Sequence, residues 1–216
     1  MDFQEFLEKQ SNIYSSFIES IVRTSGIEPK IPKNQGAYLI AFRHPEEITE
    51  RVARFSNRIA DALPAIVYDK SNVHTSIFVY GLKEDFNPDA DVLDNLNKAV
   101  KGISRQVPKI DYRQWLYNRE CVIVEGIPDK RFLDIAIKIK SSAEVHGLEL
   151  KLPWGAHITA SRFKEPRNPD ELGDFFKLMS EAPLLGESRP VRIGIGYFNI
   201  SPNGFLYKVL QNIELK

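Results

Sequence analysis

Two short segments of this chain repeat one pattern: His74-Thr75-Ser76 and His157-Ile158-Thr159 both read H-x-[S/T], each inside a run with strand-like alternation. In a strand, positions i and i+2 share a face, so each segment presents an imidazole and a hydroxyl side by side and turns its alternate positions toward a core. With ordinary Ser and Thr usage, roughly one histidine in ten meets this pattern by chance. A single match would carry no weight. Two matches among only four histidines, one in each half of an approximately repeated β-α-β layout, point to a duplicated fold whose halves meet across a cleft.

The surrounding sequence supports that layout. Residues 2–24 place Phe3, Phe6, Leu7, Ile13, Phe17, Ile18, Ile21 and Val22 at helical spacing, ending near Gly26 with Pro29 and Pro32 beyond. This is an amphipathic N-terminal helix followed by a connector, together residues 1–35. From Gly36 the pattern predicts a strand (AYLIAF), a helix opened by Pro45-Glu46-Glu47 and reaching Leu63, β structure from Ile66 to Tyr80, and a helix from Asp89 to Val107. The second half predicts strands at Tyr112–Leu116 and Cys121–Glu125, a helix from Lys130 to Val145 stopped by Gly147, and a strand AHITASRF. A helix near Pro169–Ser180 follows, then strands VRIGIGYF and FLYKVLQNIEL joined by the turn Ser201-Pro202-Asn203-Gly204. Alternating strands, rather than continuous apolar runs, favour a mostly antiparallel α+β fold over a doubly wound parallel sheet.

Composition narrows the partners. The 29 basic residues balance 29 acidic ones, so no overall field draws the chain to long nucleic acid, and a small or short substrate is favoured. Arg43, Lys70 and Arg162 would be the first members of any local basic strip. The one cysteine, Cys121, lies in the apolar run CVIVEG and reads as a small buried hydrophobe. The start MDFQEFLEKQ lacks the features of a signal peptide, and no run reaches the ~18 apolar residues of a membrane span, so a cytoplasmic setting is expected.

Two imidazoles facing one cleft have a definite chemistry. In-line displacement at a phosphodiester needs one group to take a proton from the attacking hydroxyl or water and another to protonate the leaving oxygen. Imidazole does either near neutral pH. The hydroxyls of Ser76 and Thr159 would donate to the non-bridging phosphate oxygens as charge builds, and no metal or other cofactor is required. A zinc site lacks an evident third ligand near either histidine. A serine hydrolase lacks a G-x-S-x-G elbow. Of the other histidines, His44 at the strand-to-helix junction FRHPEE reads as a capping or surface residue, and His146 before Gly147 suits a helix C-terminus.

The motif segments resemble a known family. NVHTSIFVYG (Asn72 to Gly81) is similar to the first motif, N-x-H-x-T with a closing glycine, of the 2′-5′ RNA ligase family, the LigT-like branch of the 2H phosphoesterases. AHITASR (Ala156 to Arg162) is similar to the second, P-H-x-T-L-A-R. The resemblance spans about residues 36–216 and leaves the N-terminal helix outside. It implies a bilobal, duplicated β-α-β fold with mostly antiparallel sheets flanking a central groove. It also implies cyclic phosphodiesterase activity on 2′,3′-cyclic or related RNA ends, a nucleotide or short-RNA substrate, catalysis by His74 and His157, and phosphate binding by Arg162. Strict alternation from His157 would turn Arg162 to the opposite face, so its role requires a bulge or strand end near Ser161. Ser76 stands for the usual threonine, Ala156 for proline and Thr75 for an apolar residue, departures that bear on the substrate more than on the reaction. The family's strand positions make Phe42 and Tyr207 the candidates for stacking on a base, while Trp154 either seals the core or meets substrate. End-joining by the same groups, and a non-catalytic nucleotide-binding module on the same fold, are the competing readings.

Overall fold

The computed structural model describes residues 1–23, 26–103 and 106–216, with the side chains of 18–23 excluded. Ile18, Ile21 and Val22 of the predicted apolar stripe, the end of that helix at 24, and residues 104–105 of the helix predicted to reach Val107 therefore lie outside the described residues.

The first helix is α1 (Phe3–Arg23). Strand β1 (Gln35–Arg43) leads into α2 (Glu46–Ala62), then β2 (Ala65–Val67), β3 (Thr75–Glu84) and α3 (Ala90–Lys101). The second half carries β4 (Ile110–Tyr117), β5 (Cys121–Pro128), α4 (Lys130–Val145) and β6 (Ala156–Phe163). A 3₁₀ turn (Pro169–Glu171) and α5 (Gly173–Ser180) precede β7 (Gly186–Ser188), β8 (Arg192–Ser201) and β9 (Gly204–Glu214). Local chemistry accounts for several boundaries. The Asp89 carboxylate accepts from the backbone N–H groups of Asp91 and Val92 to cap α3, Asp129 caps α4 in the same way, and Gly147 takes a positive φ of 75° just past α4.

Three predictions are refined. The β run predicted from Ile66 to Tyr80 is two strands, because Asp69 interrupts it. Its side chain accepts from the Ser71 hydroxyl and the Asn72 N–H, and its carbonyl accepts from the N–H groups of Asn72 and Val73. The helix predicted at Pro169–Ser180 divides into the 3₁₀ turn and α5, and β7 escaped the sequence reading.

Every described strand pair is antiparallel, in one sheet ordered β7-β4-β5-β6-β3-β1-β8-β9, with β2 pairing β6. The α+β class and the duplication are as expected. In each half a helix separates two antiparallel neighbours, α2 between β1 and β3 and α4 between β5 and β6, so the two motif strands become the central pair. The halves share one continuous sheet, joined where Thr75 of β3 stands opposite Ile158 of β6 and where β2 pairs with the end of the same strand, Ala65 to Val67 against Phe163 to Ser161.

Helices cover one face of the sheet. Tyr38, Ile40 and Phe42 of β1 point to this side, where Phe42 packs against Phe132 of α4 with ring centres 5.6 Å apart. Their alternates Leu39 and Ala41 belong to a separate small cluster with Tyr207 on the other face. The N-terminal helix packs on the second half: Phe6 is fully buried beside Phe132, and the Gln10 amide donates to the Gly126 carbonyl at 3.1 Å and accepts from the Ala156 N–H at 2.8 Å. No described helix is long and apolar enough to cross a membrane.

Candidate active site

The face opposite the helices carries a cleft of ≈510 Å³, lined by both motifs: His74 and Ser76 from one half, His157, Thr159 and Arg162 from the other. Antiparallel pairing of Thr75 with Ile158 places His74 across from Thr159 and Ser76 across from His157. The four side chains form a square of alternating imidazoles and hydroxyls. Arg162 joins them because the β5–β6 register passes from Ile123–Thr159 to Val122–Ser161, leaving Ala160 as a bulge. This is the irregularity that the sequence required.

His74 is oriented by its own backbone two residues earlier. His74 Nδ1 lies 2.6 Å from the Asn72 carbonyl, which can only accept, so Nδ1 carries the proton and Nε2 of the neutral ring bears the lone pair. His157 faces the equivalent carbonyl of Gly155, which favours the charged ring, although Nδ1 does not reach hydrogen-bonding geometry. Burial dominates both: it pushes His74 down to about 4 and His157, with help from His74 and Arg162, to about 3. Burial opposes the charge on Arg162, but Tyr68 and its neighbours outweigh it, and Nε is left without a protein partner. Among the described residues no three His, Cys, Asp or Glu side chains gather as a metal-holding group.

Structure comparison places this arrangement among known folds. The Thermus thermophilus protein TT0787 superposes with a TM-score of 0.59 at 16% identity, covering 83% of this chain and 97% of its own. Escherichia coli LigT complexed with 3′-AMP gives 0.56 at 14% identity, covering 84% and 98%. A crystal structure described as a phosphoesterase gives 0.53 at 17% identity, covering 85% and 99%. The chain has the LigT-like fold. No family model matches its sequence, and no curated protein does.

Within this LigT-like frame, two residues without an assigned role hold the histidines in place. The Asn72 side chain donates to the Phe205 carbonyl at 3.0 Å and accepts from the Tyr207 N–H at 2.9 Å, tying the backbone that holds His74 to β9. Trp154 lines the cleft and stacks on His157 at 4.2 Å and 21°, backed in turn by Tyr14 and Phe17 of α1. The N-terminal helix, outside the family resemblance, thus supports the second motif. Asn72→Ala should lower kcat on the order of 10–100-fold with a smaller change in KM, measured by steady-state kinetics, because it releases the segment orienting His74.

The stacking candidates need correction. Phe42 is fully buried on the helix-covered face and cannot meet a base. Tyr207 is 4% exposed, packs at 5.2 Å against His74 and donates its hydroxyl to the Gly194 carbonyl, so its ring supports the site from behind. Aromatic surface in the cleft comes instead from Phe205, with Trp154 and Phe198 also on its lining; Phe205 is half-buried and stacked on Tyr68 and Phe198 at 4.7 and 5.3 Å.

His44 also differs from its reading as a capping or surface residue. It is buried, with Nδ1 2.8 Å from Ser188 Oγ and Nε2 2.9 Å from Thr75 Oγ1, and the Tyr112 hydroxyl completes the group with Thr75. Thr75, the middle residue of the first motif, is therefore fixed from below. Burial holds His44 down at about 3 and His74 at about 4, both below the ordinary imidazole value, so the unfolded chain binds more protons between those values and ~6.5. Stability should be constant above ~6.5 and fall below it by up to about 1.4 kcal/mol per pH unit for each of these two imidazoles. Urea unfolding at pH 7.5 and pH 5 measures this, and equal midpoints would refute it.

Cys121 and His146 sit as read. Burial pushes the Cys121 thiol up to about 11, and His146 is the C-cap residue of α4.

Proposed function

We propose that the chain is a metal-independent phosphodiesterase that opens a cyclic, 2′,3′-type, or cleaves a 2′-5′-linked nucleotide phosphodiester, with residues 36–216 as its 2H unit. The observation that carries this reading is the convergence of both H-x-[S/T] motifs and Arg162 on one cleft. A phosphate seated there meets the hydroxyls of Ser76 and Thr159 and the unpartnered Arg162 Nε, which stabilise the negative charge building on the non-bridging oxygens.

The two imidazoles divide the proton work. His157 stands beside the positive Arg162, which disfavours a proton on its ring, so it is the base that takes the proton of the attacking water. His74 donates Nδ1–H to a carbonyl, an arrangement that strengthens when the ring is charged, so it carries the proton delivered from Nε2 to the leaving oxygen. Phosphate binding raises the proton affinity of both rings by bringing negative charge between them. The aromatic surface of Phe205 gives a base or ribose somewhere to rest. E. coli LigT has been crystallised with 3′-AMP and with ATP, which supports a nucleotide ligand for this cleft.

The test is product analysis on 2′,3′-cyclic nucleotides, 2′-5′ oligoadenylates and cyclic dinucleotides, with and without chelator. The expected result is a ring-opened or cleaved phosphomonoester from at least one class, formed equally with chelator present. Joined RNA ends without hydrolysis would replace the proposal with ligation, and binding without turnover would replace it with a recognition module.

A further inference from the structure

A second cavity of ≈730 Å³ lies next to the catalytic cleft, and Tyr207 forms the boundary. Tyr207 lines this cavity with one side of its surroundings occupied by Arg43, whose guanidinium sits 5.4 Å from the ring centre, and another by His74 of the cleft. Arg43 and Arg192 both line the cavity and are direct partners in the antiparallel β1–β8 pair. Like charges at directly opposed positions repel, and a folded chain retains such a pair at a cost unless something between them carries the opposite charge.

The protein supplies only part of that charge: Asp69 acts on Arg43 without touching it, and Glu214 stands opposite Arg192 on the neighbouring strand. Among the described residues neither arginine has an ion pair with a carboxylate, and Arg43 Nη1 is a buried donor with no partner. The nearby acids are engaged elsewhere. Glu46, which lines the cavity, pairs with Lys70, and Asp69 accepts from Ser71 and Asn72. Glu214 stands opposite Arg192 on its other flank without forming an ion pair with it. Two arginines therefore line a polar cavity with no carboxylate in ion-pair contact with either, the donor pattern that binds an oxyanion through charge-assisted hydrogen bonds.

We propose that this cavity is a second oxyanion site, distinct from the catalytic cleft, that takes a phosphoryl group between Arg43 and Arg192. The site stands apart from the phosphodiesterase reading and survives its failure. It places a phosphate on the opposite side of Tyr207 from His74, so occupancy reduces the unbalanced positive charge beside the ring that backs the first motif.

Equilibrium dialysis of the full chain with radiolabelled inorganic phosphate tests the site, using Arg162→Gln to remove the cleft's own phosphate ligand. The expected result is that R162Q still binds one phosphate per chain, and that adding Arg43→Gln or Arg192→Gln weakens this binding by about tenfold or more. Arg192 is exposed, so its substitution gives a reading even if R43Q fails to fold. No phosphate bound by R162Q, or binding unchanged by R192Q, would overturn the site. Loss of cyclic-nucleotide turnover leaves this result untouched, so the two proposals fail separately.

Discussion

Alanine at His74 or His157 should each lower kcat/KM on the responsive cyclic nucleotide by about 10²–10⁴-fold, the range ascribed to a positioned general acid or base. The double variant should be little worse than either single one, because an acid–base pair acts as a unit and its losses do not add. Neither substitution removes a cross-strand hydrogen bond: His74 Nδ1 bonds only its own i−2 carbonyl, and His157 Nδ1 has no hydrogen-bond partner. Unfolding midpoints near neutral pH should therefore move far less than the rates. Losses that tracked stability instead would mark the pair as structural.

The second large effect is on stability. His44→Ala should destabilise the protein by about 2–5 kcal/mol, because it strips buried partners from Thr75 and Ser188 and opens a cavity among strands of both halves. Denaturant unfolding measures this directly. A loss below about 1 kcal/mol would mean that the buried network is held by other contacts. Activity should fall as well, since Thr75 lies between His74 and Ser76 and its hydroxyl is fixed by His44 and Tyr112.

The His44 case shows how much of the site was legible in the sequence and where legibility stopped. The i, i+2 rule that united His74 with Ser76 also applies to β1. Continued one step past its last strand residue, the phase of Tyr38, Ile40 and Phe42 reaches His44, toward the helix-covered core, while Leu39, Ala41 and Arg43 face the other way. Phe42 was therefore excluded as a stacking platform by its own strand. His44 shared the same signal, overlooked because FRHPEE reads so strongly as a helix start.

Other features depend on contacts between distant segments. Alternation alone required a bulge for Arg162 but could not place it at Ala160, which is set by the register of β5. Asn72 was visible within the first motif, but its purpose appears only where β9 runs past it, 133 residues later for the Phe205 contact. The stack from Tyr14 and Phe17 through Trp154 to His157 joins the first helix to the second motif, and no periodicity encodes that docking. Class, duplication and the two histidines were local properties. The supports around them were tertiary.

The division of labour between the histidines is tested most directly by kcat/KM against pH, from about 2 to 9 in chelator, for the wild type and both single alanine variants. The wild type should give a bell displaced to the acid side of the ordinary imidazole value, since burial lowers both rings, with the kcat bell shifted upward once phosphate is bound. His157→Ala should lose the acidic limb, set by the base, and His74→Ala the basic limb, set by the acid. A wild-type rate abolished by chelator, or both limbs persisting in either variant, would contradict the paired-histidine mechanism.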